Sequence, residues 1–145
     1  LSPKGRRPDK IAAMDEIYPC PDAAERATII ERTRLWLERA VIGLNLCPFA
    51  KSVFVKKQVR YAVSAAATAD ELLAELEAEL TRLAETEDRV LDTTLLIHPQ
   101  AMVDFLDYHF FLAEAEALIR NLGYDTQIMG NQDDSGTRFV PHLAQ

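Results

Sequence analysis

The run Thr93-Thr94-Leu95-Leu96-Ile97 narrows most sharply what this chain can fold into. It is apolar and β-branched, and it ends at His98-Pro99. Apart from its threonines it does not alternate, which is the pattern of a central strand covered on both faces. Such a strand cannot stand without helices on either side, so the flanking segments must supply them.

Upstream, Thr68-x-x-Glu71 has the form of a capping box and opens a helix with Leu72, Leu73, Leu76, Leu80 and Leu83 on one face. The rest of that segment is acidic. Between residues 68 and 92 nine acids face two arginines, a local charge of −7 that reads as a solvated helix surface. Downstream, a helix is expected from about Ala101 to Leu122, with Gly123 as its C-terminal cap. It is apolar around much of its circumference (Met102, Phe105, Leu106, Phe110, Phe111, Leu112, Leu118, Ile119), which predicts a helix sandwiched between other elements. Earlier in the chain a helix begins near Asp22–Glu25. Its stripe is Ile29, Trp36, Leu37, Ala40, Val41 and Leu44, and Pro48 stops it. Val59, Tyr61 and Val63 alternate with Arg60 and Ala62, so 58–64 reads as a strand. The order helix-strand-helix-strand-helix is an α/β fold with a small parallel sheet.

The ends depart from this pattern. Residues 1–21 are basic (Lys4, Arg6, Arg7, Lys10) and hold three prolines, so they read as a flexible extension to an α/β domain over 22–125. Residues 126–145 read as an irregular tail with no strand. Two strands under three helices make an unusually small sheet, so a third strand is expected where that tail begins.

Composition bounds the function. The chain has 145 residues, the size of one domain, with a net charge of −7. That balance excludes a general nucleic-acid binder, which needs a basic surface to neutralise phosphates. No apolar run approaches the ~20 residues that span a bilayer, so no membrane partner is expected. Two cysteines are too few for a secreted disulfide framework, which makes the cytoplasm the expected compartment.

The stretch Trp36-Leu37-Glu38-Arg39-Ala40-Val41-Ile42-Gly43-Leu44-Asn45-Leu46-Cys47-Pro48-Phe49-Ala50-Lys51 resembles the opening motif of the domain of unknown function 1415 family. Val59-Arg60-Tyr61 resembles that family's first strand, Asp92 to Pro99 its second, and Asp104 to Tyr108 the helix that follows. The likeness spans about residues 28–125. It implies a further strand after Gly123 that carries a second His-Pro pair. That pair is missing from this sequence, so the C-terminal strands of the family are expected to be missing too, as in a truncated member. The resemblance implies a fold and supplies no reaction and no cofactor.

Three residues are candidates for chemistry. Cys47 sits beside Pro48 in a turn followed by Lys51, Lys56, Lys57 and Arg60, with no acid from 51 to 60. If Cys47 closes the first helix, the dipole disfavours its thiolate; if it N-caps a new one with Pro48 at the first position, the dipole favours it. A thiolate there is a nucleophile or redox centre, with Lys51 adding positive potential. The alternative is a small buried hydrophobe beside a helix-breaking proline. His98 stands at the C-terminal end of a strand, the edge where open α/β sheets bind ligands, and is either a general base or a hydrogen-bonded structural residue. Asp104 and Asp107 share a helix face, but no metal-ligand spacing is present, so no metal is expected. Two functions follow as expectations. One is an enzyme acting on a small-molecule substrate, with Cys47, Lys51 and His98 converging at the strand ends. The alternative is a non-catalytic binding or assembly module that forms homo-oligomers through the 101–122 helix, or an inactive truncated member of the family.

Overall fold

The computed structural model describes residues 21–128, together with the backbone of 131–132 and 138–144. The expected basic extension therefore lies, Pro21 apart, outside the described residues. The elements in order are α1 (Ala23–Trp36), a π-helical segment (Leu37–Ile42), α2 (Ala50–Val55), β1 (Val59–Val63), α3 (Ala69–Glu85), β2 (Thr93–Ile97), α4 (Phe105–Leu122), β3 (Asn131–Gln132) and β4 (Arg138–Ala144). No helix among the described residues is long and apolar enough to cross a membrane.

The sheet runs β1-β2-β4-β3. β1 and β2 are parallel, with Val59 opposite Thr93 and Val63 opposite Ile97. All five β2 residues are buried, as their unbroken apolar character requires. β4 lies antiparallel against the other side of β2, so the sheet is mixed and a strand does follow Gly123. The sequence hides β4 because Pro141 interrupts it, and proline cannot donate to a ladder. The β2–β4 register shifts between Thr94/Leu143 and Leu96/Val140. One extra β4 residue is accommodated there, within Pro141-His142, so the proline falls at a bulge where a ladder hydrogen bond is not needed.

Successive β2 side chains point to opposite faces, which sorts the helices into two layers. Leu96 joins Leu72, Leu76, Leu80 and Leu83 of α3 and Tyr108, Phe111, Ala115 and Ile119 of α4 in the larger core. Leu95 joins Leu37 and Ala50 on the other face, with Trp36, Val41, Ile42, Cys47, Phe54, Val59 and Tyr61 packed around them.

Local signals account for most helix ends. The Asp22 carboxylate accepts from the Glu25 N–H while Glu25 returns to the Asp22 N–H, a closed capping box. Thr68 and Glu71 close a second one, and the Ala67 and Thr68 N–H groups hold the Glu71 carboxyl below its ordinary pKa. Gly123 ends α4 in the left-handed conformation at φ 72°. The start of α4 differs from expectation: it begins at Phe105, because the Asp104 carboxylate takes the Leu106 and Asp107 N–H groups and serves as N-cap. Ala101 and Met102 belong to the preceding loop, yet they pack into the larger core. The expected sandwiching of α4 is not observed either. One face is buried, while Phe105, Leu106 and Phe110 are exposed.

The first helix also departs from a regular 3.6-residue period. Gly43 N–H donates to the Glu38 carbonyl and Leu46 N–H to the Val41 carbonyl, both spanning five residues. This widened turn rotates the stripe, so Leu37 is buried whereas Leu44, expected on the same face, is 70% exposed. Only glycine fits at position 43: a Cβ there would lie 2.2 Å from the Arg39 carbonyl oxygen. Gly43→Ala should therefore destabilise the protein by about 1–3 kcal/mol, the usual range for forced overpacking. Urea denaturation followed by circular dichroism reads this directly, and an unchanged midpoint would show that the turn relaxes without cost.

Candidate functional site

His98 extends the β2 alternation, so it shares Leu96's face of the sheet. Its ring is fully buried, its Nδ1–H donates to the Ala101 carbonyl at 2.8 Å, and it stacks on Tyr108 with ring centroids 5.8 Å apart. The bond ties the end of β2 to the loop that leads into α4. Cys47 lies in the other layer. It is half-buried against the Leu37–Ala50–Leu95 cluster, and its carbonyl accepts the Ala50 N–H at 3.3 Å. It neither closes the first helix nor caps the second, since the N-cap position of α2 is Phe49, which makes no side-chain cap. Lys51 follows on α2 with its side chain exposed.

The sheet thus stands between Cys47 and His98. The expected convergence of Cys47, Lys51 and His98 is not what the structure assembles: Cys47 and Lys51 are neighbours on one layer, and His98 is locked into the other. The physical reason is strand parity, which aims Leu95 at Cys47's cluster and sends His98 the opposite way. Asp104 serves as the α4 cap, and His109 stacks on Phe105 at 6.4 Å. Among the described residues no three His, Cys, Asp or Glu side chains are grouped to hold a metal ion.

Two cavities flank β1, the edge strand. One, of about 440 Å³, lies between α1 and α3 and is lined by Arg26, Ile30, Arg60, Tyr61, Glu75 and Glu79 among others. Arg60 makes a two-pronged bond to Glu79, at 2.7 and 2.9 Å, which holds its guanidinium in the charged form. Arg26 donates to the Val63 carbonyl at 3.0 Å. The second cavity, of about 430 Å³, opens between α1 and α2 and is lined by Arg34, Phe54, Val55, Lys57, Val59 and Tyr61. Burial there pushes the Tyr61 hydroxyl above its ordinary pKa, against the pull of Arg34. Sequence reasoning missed both cavities. Arg60 and Glu79 are 19 residues apart, so no helix or hairpin spacing announces their pairing.

The exposed large hydrophobic residues are more informative. Among the described residues, apart from Val90, they fall into two groups of four: Leu44, Leu46, Phe49 and Val55 around the turn before α2, and Val103, Phe105, Leu106 and Phe110 at the start of α4. Single exposed apolar residues need no explanation, but grouped ones mark a surface that is covered in use. The first group is interleaved with exposed Lys51, Lys56 and Lys57. The second is interleaved with exposed Asp104, Asp107 and Glu114.

No curated protein and no solved structure matches the chain. The family model described as Protein of unknown function (DUF1415) matches residues 28–129, which take in both apolar groups and the sheet pair, and it is to this family that the chain belongs.

Proposed function

We propose that the chain is a binding and assembly module, working through the outward face of α4 and forming homo-oligomers there. The observation that carries this reading is the solvent-facing group Phe105, Leu106 and Phe110, the last 65% exposed, on a helix whose opposite face fills the core. The packing of Cys47 beside Leu95 and of His98 against Tyr108 favours this reading over a nucleophile–base pair, which needs contact at ~3 Å or through one water.

Sedimentation velocity over a concentration series tests the proposal. The chain is expected to associate reversibly, and Phe110→Glu is expected to weaken association by roughly 30-fold, as loss of an interface aromatic does. Phe110 is exposed, so the variant keeps its circular dichroism spectrum. A single monomeric species at every concentration would overturn the reading.

A further inference from the structure

We infer that the surface received by α4 is the turn before α2 and α2 itself on a second copy, so that copies join head to tail. The inference rests on the α4 reading above and names its partner. Three observations carry it. The two exposed apolar groups have opposite charge: residues 44–57 hold Lys51, Lys56 and Lys57 and no acid, while residues 103–117 hold Asp104, Asp107, Glu114 and Glu116 and no lysine or arginine. Among the described residues none of the three lysines takes part in an ion pair, nor do Asp107 and Glu114. The groups also sit on opposite faces of the sheet, α2 over Leu95 and α4 over Leu96, so they cannot meet within one molecule.

The cavity between α1 and α2 supplies the receptor. Its volume of about 430 Å³ is lined by Phe54, Val55, Val59 and Tyr61 together with the cationic Arg34 and Lys57. A largely apolar hole with two cations in its lining suits an aromatic ring flanked by acids from α4 of the next copy, and α4 carries Phe105 and Phe110 beside Asp107 and Glu114. Pairing α4 with another α4 would instead set acid against acid, and pairing the α2 surfaces would set lysine against lysine. The head-to-tail contact alone places unlike charges together. Because it is heterologous, it builds a ring or an open chain of copies.

Charge reversal tests it. K51E/K56E/K57E makes both surfaces acidic, and D107K/E114K reverses two of the four α4 acids, which leaves that surface neutral and unable to attract the lysines. All five positions are exposed, and circular dichroism checks that both variants fold. Each variant alone is expected to associate at least about tenfold more weakly than the parent in sedimentation velocity at low salt, whereas an equimolar mixture recovers association. The recovered association should weaken as salt rises. Two monomeric variants whose mixture stays monomeric would overturn the head-to-tail contact. So would association that survives both reversals yet is lost in Phe110→Glu, which assigns α4 to pairing with itself and leaves the α4 reading standing. A parent chain that is monomeric throughout overturns both. A monomeric parent that co-pellets with phosphatidylserine vesicles through its lysines would assign the basic surface to a membrane instead.

Discussion

Phe111→Ala is expected to destabilise the protein by ~3–5 kcal/mol, the range for deleting a buried aromatic ring from a packed core. Phe111 is 2% exposed and lies where α4 crosses the leucine face of α3. Leu72, Leu76, Leu80 and Leu83 are each at most 1% exposed, so the helix pair has no slack with which to close a hole of that size. The neighbouring ring provides the control. Phe110 is two-thirds exposed, and Phe110→Ala should change stability by less than ~0.5 kcal/mol. Thermal or urea unfolding separates the two, with Phe111→Ala lowering the melting temperature on the order of 10 °C. Equal effects from both rings would mean that the outward face of α4 is covered within the monomer, and the assembly reading would lose its support.

These two adjacent phenylalanines also show where sequence reading stops. The helix is apolar almost all round, and an all-round apolar helix reads as buried. Which side faces water depends on how many layers the rest of the chain supplies, and no local pattern reports that number. By contrast β2 was legible because a strand without alternation has only one home, and α3 because its capping box and leucine stripe agree. Met102 and Ala101 were misread as helix since loop residues packed into a core carry the same apolar signal as helical ones. Leu44 was misread because the widened turn before Gly43 rotates everything after it. β4 was lost to Pro141, which is tolerated only at the register shift. The expected convergence of Cys47 with His98 is missing for a related reason. The sequence puts Cys47 and His98 near strand ends, but which side of the sheet each occupies depends on the three-dimensional path of the chain between them. The basic run at 51–60 is legible in the sequence, whereas the acids of α4 stand out only through the exposed apolar residues beside them, which depend on the packing of the helix.

His98→Ala is expected to cost ~2–4 kcal/mol and to do so through the fold. The Nδ1–H bond to Ala101 is buried, and removing the donor leaves that carbonyl unsatisfied, which alone costs about 1–3 kcal/mol. Loss of the ring stacked on Tyr108 adds the cost of a cavity beside the larger core. The loop it fastens is under strain, since Met102 sits at φ 55°, a conformation that side-chain-bearing residues hold only when their surroundings impose it. Releasing Ala101 should loosen this loop first, and amide hydrogen exchange should rise across 99–104 before the core opens. His98→Asn discriminates between roles. An asparagine can still donate to the Ala101 carbonyl, so part of the stability should return, whereas a general base would not be replaced by an amide. Once corrected for the folded fraction, association should fall far less than stability does, because His98 is sealed beneath α4 while the proposed contact residues Phe105, Leu106 and Phe110 face solvent on the helix itself.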